Sequence, residues 1–348
     1  MRVLLIKMSS LGDVIHTFPA LTDAAAAGIR IDWVVEEAYA DIAALHPAVD
    51  QVIPIAWRRW RRSLLAPLTG RHSRQQLGGF VARLRSKRYD LVLDAQGLIK
   101  SGVVAALARG ERKVGLAAAS ARESMAAAFY QQRVSVPWQQ HAIDRLRQLF
   151  AAALAYPVTP SLEFGLRVNA APQAVCVLLH GSTWPSKLWP ESMWIALAQR
   201  AAAHGLRVAL PWGDEGERDR AKRIAAAVGG EVWERASLGI TTQRLSQAAL
   251  VIGVDSGLSH LSAALGVPTL VVYGSTDHLL TGARGQRARS LPADFGCAPC
   301  LSRTCSYAGP EMLWQGEAVR PACYSRLAPD EVWRAATELM DADRVLSV

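Results

Sequence analysis

The sequence predicts an α/β protein built from two doubly wound domains facing across a cleft. Short apolar runs without polar alternation recur along the chain and alternate with segments of helical periodicity. Such runs are the pattern of strands buried on both faces of a parallel sheet. The alternation is interrupted once, at residues 156–160 (YPVTP), a Pro-rich linker between two regular halves. The length, 348 residues, suffices for two domains of ordinary size.

Composition narrows the function classes. At 51% hydrophobic and 20% charged, the chain is globular and not disordered. No apolar run reaches the roughly 18 residues of a membrane helix, and the run at 3–6 is too short for a signal peptide. The expected compartment is therefore the cytoplasm. A net charge of +9 and a pI of about 9.6 favour an anionic partner: nucleic acid, an acidic lipid surface or a phosphorylated substrate. Five cysteines in a chain this long do not describe a secreted disulfide scaffold.

In the first half, residues 3–7 (VLLIK) form the first strand, 8–13 (MSSLGD) its turn, and 14–27 a helix ended by Gly28. Pro19 should kink that helix or mark a late start. Gly12 stands without the other glycines of a dinucleotide fingerprint, so that reading is rejected. Asp13 either caps the helix or points a carboxylate into the mouth of the sheet. Strands follow at 31–35 and 51–55, with 37–45 helical between them. Residues 57–62 (WRRWRR) carry four arginines and two tryptophans, with Arg71, His72 and Arg74 beyond. This is a solvated basic face, a surface for lipid headgroups, or a nucleic-acid contact with Trp stacked on bases. A helix at 75–86 leads to a strand at 91–95 ending in Gln96 and Gly97. The next helix, 99–108, opens with Lys100 and Ser101. Helices are also expected around 122–130 and over 141–155.

The second half repeats the alternation: strand 174–179, polar loop 180–187 (HGSTWPSK), helix 191–204, strand 207–212 running into GDEGE, and a basic helix to 228. A short strand at 231–233 and a helix at 241–248 precede the stretch 249–277, which reads strand, turn, helix, strand. Asp255, Ser256 and Gly257 are turn and N-cap chemistry, and Leu258, Leu261, Ala264 and Leu265 recur at helical spacing. A helix starting at the carboxyl end of a parallel strand offers free N–H groups and a positive dipole end, suited to a phosphate or diphosphate. His260 lies one turn on. The bland alternative is an ordinary βαβ turn. A last amphipathic helix covers 329–340.

Four loops therefore fall at strand ends: 8–13, 96–100, 182–187 and 255–260. They hold a carboxylate, two lysines, hydroxyls and a helix N-terminus. That inventory suits an anionic leaving group and a base that deprotonates an acceptor hydroxyl. No nucleophile elbow, P-loop or zincin motif is present.

The motifs MRVLLIKMSSLGDVIHTFPAL, RRWRR, DAQGLIKS, STWPSKLWP, LPWGDEGERDRAKR and VDSGLSHLSAALGVPTLVVYGSTD, in this order over residues 1 to about 280, closely resemble the ADP-heptose:lipopolysaccharide heptosyltransferases. SSLGDVIHT and DAQGLIKS resemble subfamily I. The resemblance implies a GT-B glycosyltransferase with two Rossmann-like domains. It would move L-glycero-D-manno-heptose from ADP-heptose to Kdo of the lipid A inner core by an inverting, metal-independent displacement with no cofactor. It implies an acceptor-side domain over 1–158, a donor domain over 162–325, and a helix at 328–341 returning to the first domain to form a hinge with the linker. Matched motif by motif, Asp13 resembles the general base and Lys187 the diphosphate ligand, helped by Ser182 and Thr183. Glu217 resembles the ribose contact, and Asp255, Ser256, Gly257 and His260 the donor-sugar and phosphate loop. Arg61, Arg62, Lys100 and Arg122 match basic acceptor-side positions. The implied partners are ADP-heptose, Kdo-lipid A and, peripherally, the cytoplasmic face of an anionic inner membrane, with Trp57 and Trp60 docking to it and no nucleic acid.

One segment departs from subfamily I. Cys297-x2-Cys300-x4-Cys305, with Cys323 beyond, resembles a cysteine cluster of heptosyltransferase II. It is either a zinc or iron–sulfur site or a set of reduced thiols in a variable loop. A nucleotide-sugar epimerase on the same architecture is the rival enzyme, and would convert its substrate without an acceptor. A non-catalytic binder of nucleic acid or membrane is the third reading, but would have no use for Asp13 and Lys187 at strand ends.

Overall fold

The computed structural model describes the backbone of residues 1–63, 70–166 and 171–346, and their side chains except at 62–63, 70–74 and 342–346. The chain divides into two compact units, Met1–Leu166 and Arg167–Val348. Each is organised on a six-stranded, all-parallel sheet.

Unit 1 contains β1 (Arg2–Ile6), β2 (Arg30–Glu36), β3 (Val49–Ile55), β4 (Tyr89–Asp94), β5 (Gly110–Leu116) and β6 (Gln132–Val134), in the order β3-β2-β1-β4-β5-β6. β1 and β4 are central, and their uninterrupted apolar runs are buried on both faces because helices cover the sheet on each side. The order reverses between β1 and β4. In an open parallel sheet this switch point leaves a crevice at the carboxyl ends of the strands, where ligands bind. Ile6 stands beside Asp94 there, so the loops after both strands emerge together.

Unit 2 repeats the topology with β7 (Gln173–Leu179), β8 (Arg207–Leu210), β9 (Glu231–Val232), β10 (Ala248–Val254), β11 (Thr269–Tyr273) and β12 (Ala288–Pro292), in the order β12-β11-β10-β7-β8-β9. Its switch point lies between β7 and β10, where Leu179 pairs with Gly253. The core is dominated by Trp189 and Trp194, edge to face with ring centroids 5.0 Å apart.

Several sequence expectations change. The first helix is two, Leu11–His16 and Phe18–Ala26, broken at Thr17; Pro19 sits in the first turn of the second, where its missing N–H has no intrahelical role. Residues Ser124–Phe129 form a 3-10 turn rather than an α-helix. The C-terminal helix Pro329–Leu346 packs on unit 2. Its apolar residues Val332, Ala335 and Ala336 are buried in the unit 2 core, and Arg289 holds Glu338 at 2.7 Å.

Trp57 and Trp60 are also corrected. The segment Trp57–Ser63 is a helix, and Trp60 is only 7% exposed, edge to face with Phe80 at 5.7 Å. Trp57 packs on the same cluster. At a spacing of three the two rings share the inward face of the helix, so Trp60 is core and Trp57 is half-buried against it. Trp60→Ala should cost about 3 kcal/mol, read as a lowered denaturation midpoint; an unchanged midpoint would contradict this packing.

Candidate active site

Both switch points carry the residues singled out by the sequence. In unit 1, Asp13 lies in the first turn of the helix after β1. Its carboxylate accepts from the Ser10 backbone N–H at 2.7 Å and from the Ser10 hydroxyl at 3.0 Å, and pairs with Lys7 at 3.2 Å. Burial opposes its charge, but the Lys7 charge, the Ser10 bonds and nearby His16 outweigh burial and bring its pKa down to about 2. The helix-cap reading of Asp13 therefore holds: with Ser10 it closes the capping box of the turn after β1.

The loop that presents Asp13 is clamped from β4. The Gln96 side-chain oxygen accepts from the N–H groups of Met8 at 2.8 Å and Ser9 at 3.1 Å, and its nitrogen donates to the Ser9 carbonyl at 2.7 Å. Asp94, fully buried, fixes Gln96 in turn by accepting from its backbone N–H at 2.8 Å and from the Tyr130 hydroxyl at 2.7 Å. Sequence reading placed Gln96 in the right loop without seeing this role, and it missed Lys7. The signal was a lysine closing an otherwise apolar strand.

Lys7 sets the state of Asp13. In Lys7→Met, burial is left less opposed and the Asp13 pKa should rise. The wild type should keep kcat/KM flat through mildly acidic pH, where the variant falls off. Superimposable pH profiles would remove Lys7 from this role.

A second lysine approaches the loop that presents Asp13. Lys100 reaches within 3.4 Å of the Ser9 hydroxyl. Its ammonium pKa is lowered by burial and by the charges of Arg58 and Arg61, against the opposing pull of Glu36. Arg61 is exposed, as is Arg122, next to Glu123, which accepts from the Ile99 N–H at 2.7 Å. The side chain of Arg62 lies outside the described residues.

In unit 2, Asp255 follows β10 and is the hub. It accepts from Lys187 at 2.7 Å and from the Thr276 hydroxyl at 2.7 Å, and meets His260 Nε2 at 3.2 Å. Burial works against its charge, yet the His260 and Lys187 contacts prevail and hold it well below the usual carboxylate range. Thr276 was not anticipated; it reaches in from the end of β11. Ser256 caps the helix Gly257–Ala264, with its hydroxyl accepting from the Ser259 N–H. The helix start is thereby placed beside Lys187, whose ammonium also sits 4.8 Å over the Trp184 ring. The Ser182 hydroxyl donates to the Asp255 carbonyl at 3.2 Å, while Thr183 is exposed in the same loop.

Two further contacts fix the Lys187 loop. The Tyr324 hydroxyl donates to the Lys187 carbonyl at 2.8 Å, and the buried Ser186 hydroxyl donates to the Ser302 carbonyl at 2.6 Å. At the end of β8, Glu217 accepts from the Gly213 N–H at 2.7 Å and lies so close over Gly181 that a Cβ there would collide with its carboxylate.

The cysteines lie in the segments that pack on the Lys187 loop through Ser302 and Tyr324. Cys297, Cys300 and Cys305 are exposed free thiols and Cys323 is buried, its thiol pushed up to about 12 by burial and by the other three. Among the described residues, no set of three or more His, Cys, Asp or Glu is arranged to hold a metal ion.

A lysine and a helix start that suit a diphosphate, on a sheet repeated in a second unit with its own carboxylate, fit a nucleotide-sugar enzyme. Comparison with known proteins agrees. The model of glycosyltransferase family 9 (heptosyltransferase) matches residues 78–310. Lipopolysaccharide heptosyltransferase 1 of Pseudomonas aeruginosa is 48% identical, over 97% of this chain and 97% of its own. The protein of the same name from Escherichia coli K12 is 43% identical, over 82% of this chain and 92% of its own. Among solved structures, E. coli heptosyltransferase WaaC with ADP superposes with a TM-score of 0.83 at 37% identity, covering 97% of this chain and all of that one. The two parallel six-stranded α/β sheets match that GT-B fold. The chain is a glycosyltransferase and belongs to family 9, the heptosyltransferases.

Proposed function

We propose that the protein transfers L-glycero-D-manno-heptose from ADP-heptose to Kdo of the lipid A inner core, as a heptosyltransferase of subfamily I. The observation that carries this reading is the division of chemistry between equivalent places in the two units: a carboxylate paired with Lys7, with Lys100 on the adjoining Ser9, in unit 1, and a lysine beside a helix start in unit 2. Unit 1 takes the acceptor and unit 2 the donor. WaaC has been solved with ADP and with ADP-2-deoxy-2-fluoro heptose, which supports the donor assignment.

In the reaction the acceptor hydroxyl attacks the anomeric carbon, its proton passes to Asp13, and ADP departs with the bond electrons. A carboxylate as acidic as Asp13 does not deprotonate a free sugar hydroxyl. It receives the proton as the forming C–O bond makes the hydroxyl acidic, which is when general-base help counts. Charge building on the diphosphate meets Lys187 and the N–H groups at Ser256 and Gly257. Asp255 and His260 keep Lys187 aimed, Ser182 and Thr183 line the phosphate loop, and Glu217 takes the ribose. Arg61, Arg62, Lys100 and Arg122 hold the anionic acceptor. Nucleic acid has no part in this chemistry.

Subfamily I is favoured over II because the relatives named heptosyltransferase 2 match at 32% identity over only 31% of this chain. Among the described residues, no helix is long and apolar enough to cross a membrane, which suits peripheral action on a lipid-linked acceptor. The test is acceptor choice. ADP release from ADP-heptose should be fast with Kdo-lipid A and near background with an acceptor already bearing one heptose. The reverse preference would assign the protein to subfamily II.

A further inference from the structure

We propose that the outer face of the helix Ile99–Leu107 is the surface by which the protein docks on an anionic lipid bilayer. This rests on the reading of the acceptor as lipid-linked. A surface helix normally buries its apolar stripe and turns polar residues to water. Here Val104 and Ala105 are buried as usual, but the helix turns no polar residue except Lys100 towards water. The buried positions include Ser101 and Gly102, and every exposed position is apolar: Ile99 at 40%, Val103 at 38% and Leu107 at 39%, with Ala106 between them. Ile99, Val103 and Leu107 follow at intervals of four and make one stripe along the helix. The neighbouring 3-10 turn Ser124–Phe129, whose Phe129 ring lies on Gly102, carries Met125, also exposed.

Charge around the stripe selects the occupant. Lys100 and Arg109 sit along and just beyond the helix. Lys113 donates to the Ala106 carbonyl at 2.7 Å, Arg133 donates to the Ala127 carbonyl at 2.9 Å, and Arg122 is exposed on the adjoining loop. Against these five stand Glu111, paired with Arg88, and Glu123. A few apolar side chains within a basic rim match a bilayer interface, where each cation near an anionic surface adds about 1 kcal/mol. A stable protein interface needs about 800 Å² on each partner, far more than these five side chains supply. Position agrees. The helix starts two residues after Gly97 and sends Lys100 to the Ser9 hydroxyl in the Asp13 loop. An acceptor with its sugar head at Asp13 thus has its acyl chains beside this stripe.

The experiment is vesicle co-sedimentation of the full chain, wild type against V103E/L107E, with V103Q/L107Q as a second variant should the first fail to fold. The wild type should bind vesicles of phosphatidylcholine with phosphatidylglycerol and not of phosphatidylcholine alone. The variants should bind at least tenfold more weakly, with unchanged circular dichroism and unchanged turnover of a deacylated, soluble acceptor. Equal binding by folded variants, or no binding by the wild type, overturns the proposal. So does a wild type that is oligomeric in light scattering and becomes monomeric in the variants, which would make this face a protein interface. Turnover of the soluble acceptor is read separately, so failure of the transferase reading would show as its absence in the wild type, whatever the vesicles report.

Discussion

Asp13→Asn should lower turnover by at least about a hundredfold, the usual worth of a positioned base, and leave ADP affinity unchanged. The two effects separate because Asp13 belongs to unit 1, whereas the residues assigned to ADP belong to unit 2. Asparagine keeps the size of the side chain and an oxygen for the Ser10 contacts, so the helix turn should survive. It cannot take a proton. Lys7, only 8% exposed, would lose its carboxylate partner, which destabilises the fold, so rates must be read on protein shown to be folded. Initial rates with saturating substrates and ADP titration calorimetry check the pair of outcomes. Turnover near the wild-type value would remove Asp13 from the role of base.

Lys187→Ala should be as severe through a different route. Removing a donor aimed at charge that develops in the transition state typically costs 10²- to 10³-fold in turnover, and ADP affinity should fall with it, unlike in Asp13→Asn. The variant also leaves Asp255 buried with His260 and Thr276 as its remaining partners. Breaking a buried pair this way is destabilising, on the order of 3 kcal/mol, so rates must be read on protein shown to be folded at the assay temperature. Wild-type activity should be insensitive to EDTA. Loss of activity in EDTA, restored by a divalent cation, would mean that a metal meets the diphosphate charge that Lys187 is assigned here.

Much of this architecture was legible because parallel strands buried on both faces leave an unambiguous mark. VLLI at β1 and ALVIGV at β10 could be little else, and the loops after them held the site. The strands that escaped have physical reasons. β5 opens with the polar residues Glu111, Arg112 and Lys113 near the side of the sheet. β6 is three residues long, too short to show a period. In the segment Trp57–Ser63 the arginines masked the pattern: Trp57 and Trp60, three apart, were the apolar face of a helix, and the charge density around them suggested a membrane surface instead. The Gln96 clamp, Thr276 on Asp255 and Tyr324 on Lys187 join residues far apart in sequence, and no local pattern announces them. The C-terminal helix was seen as amphipathic, but periodicity does not say which core receives its stripe. Val332, Ala335 and Ala336 found theirs in unit 2.

Heptosyl transfer itself is tested most directly by mass spectrometry of both products after incubation of the purified protein with ADP-heptose and Kdo-lipid A. The expected result is one heptose added to the acceptor for each ADP formed, with inverted configuration at the anomeric carbon, and no reaction when the acceptor is left out. Conversion of the nucleotide sugar without acceptor, or ADP formed while the acceptor mass stays unchanged, would contradict it.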